Sequence, residues 1–367
     1  MARICHFSTA HRAGDIRIVR KEARAAALAG HDVSVVIQGD MPADCAMVRH
    51  VRVVPPAGGR VGRFTLLGWR VYRAALGERA DIYHFHDPDL LPYALLMRAA
   101  GRRVIYDAHE DVPRDILSKE WIPAGMRRAI AGVFEVFEDF AARRMTAVVT
   151  ATPFIGERFG RLNGRTATVN NYPMMDELAP PAEGSPGERS GFCYVGGISG
   201  IRSAREMVQA CALSGQSLVL AGPMETPALA QQLQAVEGWS RVDYRGTLGR
   251  SQVAELLARS IAGLVLFHPE PNHINSQPNK LFEYMSAGLP VIASDFPMWK
   301  AIVEKFDCGI CVDPLDPGAI AGAMTALAAD PQRARRMGAN GRRAVLEKFN
   351  WEREQHVLLD VYQLCGS

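Results

Sequence analysis

The sequence predicts an α/β protein built from two doubly wound, Rossmann-like domains. Short apolar runs typical of fully covered parallel strands alternate with amphipathic stretches along the whole chain. A length of 367 residues is more than one ordinary core accommodates. The segment 171–191, rich in Pro, Gly, Ser and charge, has the composition of a linker. These observations place the first domain at 1–172 and the second at 173–350.

Composition argues against several classes of protein. Charged residues make up 22% of the chain and apolar residues 48%, which is ordinary for a globular protein. No run reaches the ~18 consecutive apolar residues of a membrane span, and the N-terminal apolar stretch is too short for a signal peptide. We therefore expect a cytoplasmic protein whose 7 cysteines are reduced. Cys308 and Cys311 have CxxC spacing, but they lie in a strand-like run, which favours packing over metal or redox chemistry.

Charge is unevenly distributed along the chain. Of the 42 Lys and Arg and 39 Asp and Glu, residues 1–172 contain 25 and 18, a balance of +7, and the remainder contains 17 and 21, a balance of −4. A basic first domain suits an anionic membrane surface or a phosphorylated acceptor. Aromatic and basic residues interleave too sparsely for nucleic acid, so no nucleic-acid partner is expected.

The first domain opens as a βαβ unit. An apolar strand at 2–7 leads into a loop, a helix at 16–29 that ends before Gly30, and a strand at 32–37. The loop lacks the GxGxxG pattern of dinucleotide-binding proteins. Arg17 lies near the start of the helix, from where its guanidinium would reach the cleft at the strand ends.

Two further amphipathic helices are predicted in this domain. The stretch 62–73 places arginines beside an apolar side, which suits either a membrane face or, more simply, an ordinary helix packed on a sheet. A longer helix is predicted at 126–145. Its expected core stripe consists of Val133, Phe134, Phe137 and Phe140.

Polar residues follow two strands of the first domain. "DIYHFHDPDLLP" runs from a strand into a loop with His86 and Asp87, and "RRVIYDAHED" ends with Asp107, His109 and Glu110. Open α/β sheets bind ligands at the carboxyl ends of their strands. A histidine there can exchange a proton near pH 7. We predict His86, Asp87 and Glu110, together with Arg17, on the acceptor side of a cleft.

The same segment contains the residue types of a metal site. His84 and His86 point to one face of a strand, and Asp87 with Asp89 mimics an Asp-x-Asp metal motif. No further His or Cys group has supporting spacing, so no metal is expected.

The stretch 276–293, "SQPNKLFEYMSAGLPVIA", predicts a short helix followed at once by a buried strand. Pro278 suits the first helical position, with Ser276 or Gln277 in front of it as a cap. An open helix N-terminus presents unpaired N–H groups and about half a positive charge, which suits a phosphate or diphosphate. Lys280 adds a cation. Glu283 is either a solvated helix residue or a carboxylate that sugar hydroxyls satisfy.

This stretch resembles the nucleotide-sugar signature of GT-B glycosyltransferases, most closely the retaining group called glycosyltransferase family four. The resemblance covers nearly the whole chain and is strongest over 190–312. It implies that Glu283 holds the ribose hydroxyls of the donor nucleotide. Asn275 replaces the family's first motif Glu, which orients the donor sugar, and Asn275 and Ser276 are placed in the donor site. The last helix, 351–367, is expected to cross back to the first domain.

The resemblance assigns further roles. Gly196 and Gly197 follow a strand in "GFCYVGGISGIRS" and match the family loop that lets the donor diphosphate approach the backbone. Arg202 and Lys280 would neutralise this diphosphate from two sides. His109 matches by position a family histidine that faces the donor sugar and the acceptor. We therefore expect His109, Arg202 and Lys280 to act in catalysis.

The expected function is that of a retaining glycosyltransferase of the GT-B fold. The resemblance implies transfer from a nucleoside diphosphate sugar to an acceptor hydroxyl, by front-side attack, without a metal or other cofactor. A carbohydrate or lipid-linked acceptor is expected, in bacterial cell-surface polysaccharide or glycolipid synthesis at the inner face of the cell membrane. Two alternatives stay open: a nucleotide-sugar epimerase or phosphorylase of the same fold, and a degenerate nucleotide-binding scaffold, which Asn275 encourages.

Overall fold

The computed structural model of the protein describes residues 1–56, 62–119, 122–175, 178 and 189–366. Contacts within the chain divide it into two units, one formed by Met1–Asn171 with Trp351–Ser367 and the other by Tyr172–Asn350. Most of the predicted linker lies outside the described residues. Within the part of the chain that is described, no helix is long and apolar enough to cross a membrane.

The first unit is built on a seven-stranded parallel sheet in the order β3-β2-β1-β4-β5-β6-β7. Its strands are β1 (Arg3–Arg12), β2 (Asp32–Gln38), β3 (Arg49–Arg52), β4 (Ile82–Phe85), β5 (Arg103–Ala108), β6 (Ala147–Thr150) and β7 (Thr166–Thr168). Strand β1 is longer than predicted because its register against β2 shifts after Phe7, so that Arg12 pairs with Gln38.

Helices connect these strands. They are Ile16–Ala23 continued by Arg24–Leu28, Arg63–Leu67 continued by Gly68–Gly77, Leu91–Ala99, Val112–Leu117, Ala124–Ala142, Pro153–Gly160 and Trp351–Gly366. The first begins at an Asp15 cap, whose carboxylate accepts a hydrogen bond from the backbone N–H of Ile18 (2.8 Å). The last buries Leu358, Val361 and Tyr362. The C-terminal segment is therefore part of the first unit's core.

The basic stretch 62–73 packs as an ordinary helix. The apolar side of this helix packs into the core of the first unit, where Leu67, Val71 and the following Ala75 are buried. Trp69 and Arg70 are exposed on the other side. The side chains of Arg63 and Phe64, which the sequence analysis included in this stretch, lie outside the described residues.

The helix Ala124–Ala142 is turned differently from the prediction. The predicted core stripe is wrong at Val133 and Phe140, whose exposed fractions are 74% and 44%. Glu138 lies on the buried side instead, where it accepts a hydrogen bond from the Tyr106 hydroxyl (2.8 Å). A search for apolar periodicity does not detect this buried face, because it consists of Glu138 and alanines. The other members of the stripe, partly buried at the edge of the core, are Phe134 and Phe137.

The second unit contains a six-stranded parallel sheet in the order β10-β9-β8-β11-β12-β13. Its strands are β8 (Phe192–Val195), β9 (Leu218–Ala221), β10 (Val242–Gly246), β11 (Ala262–Val265), β12 (Val291–Ser294) and β13 (Gly309–Val312). Its helices are Ala204–Ser214, Pro227–Gln234, Arg250–Arg259, Pro271–Ile274, Asn279–Ser286, Pro297–Lys305, Pro317–Ala329 and Pro331–Glu347. The predicted α/β class with two Rossmann-like domains is confirmed.

Both sheets reverse their strand order at one point, between β1 and β4 in the first unit and between β8 and β11 in the second. Ligands of open α/β sheets bind outside the carboxyl ends of strands at such a point. In the second unit Tyr284 holds the helix Asn279–Ser286 there, because its hydroxyl accepts a hydrogen bond from the backbone N–H of Val195 (2.8 Å). Gly263 leaves room for the Tyr284 ring, since a Cβ at this position would lie 2.3 Å from it.

Candidate active site

Asp107, at the carboxyl end of β5, is the centre of a buried cluster in the first unit. It accepts hydrogen bonds from His109 Nε2 (2.6 Å), from His86 Nδ1 (3.0 Å) and from Arg17, whose Nη2 lies 2.8 Å from Oδ1. Burial opposes the charge on Asp107, but the Arg17 guanidinium and His109 outweigh it and hold its pKa well below the usual range. We call Arg17, His86, Asp107 and His109 the Asp107 cluster.

Arg17 lies at the strand ends, as predicted, but protein groups use its guanidinium. Its Nη1 donates to the backbone oxygen of Val169 (2.8 Å), and its Nε lies 3.1 Å from Asp107 Oδ2 and 3.0 Å from Glu22 Oε1. The side chain is 5% exposed. Protein groups therefore occupy the Arg17 guanidinium, which the sequence analysis expected in the cleft.

Asp87 and Glu110 do not join the Asp107 cluster. Asp87 accepts hydrogen bonds from Ser8 Oγ (2.6 Å), from the backbone N–H of Thr9 (2.7 Å) and from that of Ala10 (3.2 Å). It therefore shapes the backbone at the end of β1. Glu110 is exposed.

His11 is a residue of this site that the sequence analysis missed. Its ring lies 5.4 Å from that of His109, with Nδ1 2.9 Å from Asp15 Oδ2 and Nε2 3.4 Å from Asp87 Oδ1. Burial opposes a charge on His11, but the two carboxylates outweigh it and raise its pKa. The signal available in the sequence was a histidine just after the first predicted strand.

Two groups of side chains in the first unit have the donor atoms of a metal site. They are His6, Glu22, His84 and His86 in one group and His86, Asp107 and His109 in the other. In the structure a cation already lies between the two carboxylates, because Arg17 Nε is about equally close to both of them. The expectation that no metal is bound stays a prediction, and the ligand-binding experiment below includes metal ions for this reason.

In the second unit, two consecutive glycines, Gly196 and Gly197, follow β8. A Cβ at Gly196, where φ is +136°, would lie 3.0 Å from Lys280 Nζ, and a Cβ at Gly197 would lie 2.8 Å from Arg202 Nη1. Arg202 Nη1 donates to the backbone oxygen of Gly197 (3.1 Å). Glycine is needed at both positions because the two cations lie directly against this backbone.

Lys280 is a buried cation. Its Nζ lies 3.8 Å from the centre of the Tyr194 ring and has no hydrogen-bond partner among the described residues. Burial, and then the charge of Arg202, lower the pKa of Lys280 well below its ordinary value. An anion at this point would favour the charged form of Lys280 and supply the missing acceptors.

The helix after this loop differs in detail from the prediction. Pro278 is the cap and not the first helical residue, and Asn279 begins the helix. Ser276 does not cap the helix, because its hydroxyl donates to the backbone oxygen of His273 (2.8 Å). The first N–H groups of the helix therefore receive no side-chain cap. Asn275 ends the preceding short helix and is half-buried.

Glu283 is half-buried and has a protein partner. Its Oε1 accepts a hydrogen bond from Arg250 Nη1 (3.1 Å), and its side chain is 23% exposed. Glu283 is thus neither free in solvent nor enclosed. Ser203 adopts a left-handed conformation with φ 51°, which favours glycine.

Comparisons with known proteins agree with this architecture. A model of the glycosyl transferase 4-like domain matches residues 14–171, and a model of the glycosyl transferases group 1 domain matches residues 176–344. D-inositol 3-phosphate glycosyltransferase from Xylanimonas cellulosilytica is 35% identical over 92 residues, which are 25% of this chain and 22% of that protein. The match thus spans about a fifth of the relative's length.

Solved structures resemble the whole chain. Sucrose-phosphate synthase from Thermosynechococcus elongatus has a TM-score of 0.78 at 21% identity, over 99% of this chain and 98% of that one. HepE from Anabaena in complex with UDP has a TM-score of 0.73 at 14% identity, over 99% and 100% of the two chains. At such identities the likeness shows the fold, which is that of the GT-B glycosyltransferases. The two family models together match most of the chain, one after the other. The chain therefore belongs to the group 1 glycosyltransferases, with a glycosyl transferase 4-like domain in its N-terminal half.

Proposed function

We propose that the protein transfers a glycosyl group from a nucleoside diphosphate sugar to an acceptor hydroxyl, with retention of configuration. The observation that carries the proposal is Lys280, a buried ammonium without a hydrogen-bond partner among the described residues, beside a loop without side chains. A diphosphate has the charge and the acceptor oxygens that this site lacks. Membership of the group 1 glycosyltransferases supports the reaction, and the UDP and UDP-glucose complexes of HepE support uridine diphosphate as the nucleotide of the donor.

Donor binding is proposed as follows. Arg202 and Lys280 bind the diphosphate, whose oxygens also receive the free N–H groups at the start of the helix Asn279–Ser286. Glu283 accepts hydrogen bonds from the ribose hydroxyls, sharing its carboxylate with Arg250. The sugar contacts come from Asn275 and Ser276.

The chemistry needs stabilisation of a leaving group. As the bond from the sugar's anomeric carbon to the diphosphate breaks, negative charge develops on the phosphate oxygen. The fixed cations Arg202 and Lys280 stabilise this charge without reorganisation. The acceptor oxygen forms its bond on the same face, and its proton passes to the departing phosphate oxygen. His109 contacts the sugar, and no protein nucleophile or metal takes part.

The proposed acceptor is a carbohydrate or a lipid-linked glycan in cell-surface polysaccharide or glycolipid synthesis. The corrected orientation of the helix Ala124–Ala142 supports peripheral contact with an anionic membrane, because this helix exposes an apolar face in a domain of balance +7. The exposed side chains are Met126, Ile130, Val133, Val136 and Phe140. Flotation with anionic liposomes tests this contact. The double variant V133D/V136D should lose flotation, and equal flotation of variant and wild type would contradict the proposed face.

The donor site is tested first by a thermal-shift panel of UDP, GDP, ADP and CMP, each with EDTA, Mg²⁺ or Zn²⁺. A ligand at 100 times its Kd stabilises the folded protein by about 2.7 kcal/mol. A shift with one nucleoside diphosphate that is the same in EDTA supports the proposal. No shift with any nucleotide contradicts the proposed donor site, and a shift only with a metal contradicts the metal-free mechanism. Mass analysis that finds conversion of a nucleotide sugar without an acceptor would favour an epimerase.

A further inference from the structure

A chain of buried side chains that the proposed reaction does not use ends at Asp107. The Tyr362 hydroxyl, on the helix Trp351–Gly366, lies 2.9 Å from His84 Nδ1 and 3.1 Å from His6 Nε2. His6 Nδ1 lies 2.9 Å from His86 Nε2, and His86 Nδ1 lies 3.0 Å from Asp107 Oδ2. All are at most 2% exposed. We call this the Tyr362 chain, and its members are His84, Tyr362, His6 and His86.

The hydrogen bonds of the Tyr362 chain have one consistent direction. An ionised Asp107 only accepts, so His86 Nδ1 carries a proton. Burial keeps His86 neutral by lowering its pKa, and its Nε2 therefore accepts from His6 Nδ1. Burial likewise lowers the pKa of His6, whose Nε2 accepts from the Tyr362 hydroxyl. The Tyr362 oxygen then accepts from His84 Nδ1.

The carboxylate disfavours the opposite direction, in which His86 Nδ1 would have only His109 Nε2, at 3.3 Å, as a donor. If His86 carried its proton on Nε2, a lone pair on Nδ1 would face the Asp107 carboxylate at 3.0 Å, and two acceptors would oppose each other in a buried site. The direction found leaves one polar atom of this chain without a partner among the described residues, His84 Nε2. A single bare acceptor at the far end is the smaller cost.

On its other side, Asp107 bonds the Nε2 nitrogen of His109. His109 Nε2 donates to Asp107 Oδ2 at 2.6 Å, which in the neutral ring leaves a lone pair on Nδ1. The side chain of His109 is 15% exposed, and no described residue bonds its Nδ1. The group that matches an exposed acceptor nitrogen is a hydroxyl, such as those that a sugar carries.

We propose that Asp107 and Tyr362 are positioning residues that hold His109 in the tautomer whose Nδ1 accepts a hydrogen bond from a substrate hydroxyl. Asp107 acts directly, and Tyr362 acts through His6 and His86 by fixing which nitrogen of each ring is protonated. The identity of the hydroxyl as one on a sugar rests on the proposed function, whereas the tautomer of His109 does not.

Several charged or titratable groups besides its own members face the Asp107 cluster and affect any pH profile. They are Glu22 on the helix Ile16–Ala23, His11 near the end of β1, Asp15 after β1 and Asp87 after β4. Glu22 is fully buried, and burial and then the charge of Asp107 raise its pKa well above the ordinary value. The variant H11Q removes the titration of His11 from such a profile.

The test is a two-bond ¹H–¹⁵N correlation spectrum of the full chain labelled with ¹⁵N-histidine, in which the two ring nitrogens of each tautomer have distinct shifts. At pH 7.5 the expected result is protonation of Nε2 in His109 and of Nδ1 in His6 and His86. The variant H109Q assigns the His109 signals. A wild-type His109 that is protonated on Nδ1 overturns the proposal without any variant.

The variant Y362F removes the donor to His6 while keeping the ring. We expect mixed tautomers of His6 and His86, a kcat lowered roughly tenfold by misplacement of His109, and an unchanged KM for the donor. The matched control is Y83F, a buried tyrosine of β4 outside the chain, which should leave tautomers and kcat within about twofold. Unchanged tautomers and kcat in Y362F would overturn the role of Tyr362. If the wild type transfers no sugar, the spectra still decide the tautomers, and the proposed function fails separately.

Discussion

The two clusters differ in how completely their polar groups are satisfied. In the Asp107 cluster the buried carboxylate is matched by Arg17 and by two imidazoles, all within 3.1 Å. In the second unit, Lys280 has aromatic rings and another cation nearby but no acceptor among the described residues. In the first cluster the buried carboxylate therefore has all its partners within the protein, and His109 is the member at the edge. In the second, Lys280 lacks an acceptor among the described residues, and substitutions should therefore have opposite effects in the two clusters.

The largest effect is expected at Lys280. Removing the ammonium in K280M should weaken UDP binding by at least about 30-fold, because a buried charge-assisted contact is worth roughly 2–5 kcal/mol. Without ligand, the variant should melt at a higher temperature than the wild type, since an unpaired buried cation is removed. Calorimetric titration and thermal unfolding measure the two effects.

The control for this prediction is K300M, at an exposed lysine, which should change neither quantity. Lower stability of ligand-free K280M, or UDP affinity equal to that of the wild type, would show that Lys280 has a partner in the free protein and would remove the main support for the donor site.

The converse is expected at Asp107. D107N leaves the buried Arg17 without its carboxylate partner, which should cost about 3–5 kcal/mol of unfolding free energy. Urea unfolding at pH 7.5 measures this cost. D81N breaks the surface pair of Arg3 and Asp81, where both side chains are about half exposed, and should cost less than about 1 kcal/mol. Similar losses of unfolding free energy in D107N and D81N would show that the buried contacts of Asp107 contribute no more than a surface pair, and would contradict the comparison between the two clusters.

A smaller effect is expected at Glu283. E283A should weaken UDP roughly 10- to 100-fold, the value of a hydrogen bond to a charged group, and should leave inorganic pyrophosphate binding unchanged, because Glu283 is assigned to the ribose. K280M, by contrast, should weaken both ligands. E255A, at an exposed position on the helix Arg250–Arg259, is the control. Equal affinity of E283A and wild type for UDP would exclude the ribose role.

The sequence predicted the second site better than the first, for a physical reason. The loop at Gly196 and the start of the helix at Asn279 are local features, in which a few neighbouring residues determine backbone conformation and exposed N–H groups. Only the register failed there, since Pro278 turned out to cap the helix and Ser276 to bond elsewhere. The roles of Arg202 and Lys280 in binding a donor stay predictions.

The Asp107 cluster depends instead on contacts between distant parts of the chain. Arg17 and Asp107 are 90 residues apart, and His6 and Tyr362 are 356 apart. Sequence spacing gives no information on such pairs. The same limit explains the wrong stripe on the helix Ala124–Ala142, where the partner of Glu138 lies on another element. A strand-end position nevertheless pointed correctly to the neighbourhood.

The smallest predicted effect lies at the margin of the Asp107 cluster, where His11 pairs with Asp15. Burial opposes both charges, but each partner's hydrogen bond outweighs it, so the pKa of His11 is raised above 6.5 and that of Asp15 is lowered from 3.8 to about 2. A raised histidine pKa stabilises the fold below pH 6.5, and this contribution is lost as the pH rises through the folded-state pKa. A lowered carboxyl pKa stabilises the fold above pH 3.8, and this contribution is lost as the pH falls towards 2.

Between pH 3.8 and pH 6.5, the unfolded-state pKa values of Asp15 and His11, both residues stabilise the fold. H11Q should therefore destabilise the protein most near pH 5.5, and the difference from the wild type should narrow at pH 3 and at pH 8.5. Urea unfolding midpoints at the three pH values measure it, with H356Q, at an exposed histidine, as the control. A difference that is the same at all three values would show that His11 contributes by packing and not by charge. His11 and Asp15 are half-buried at the edge of the Asp107 cluster. Such a result would mean that His11 packs as part of that cluster and does not act through its charge.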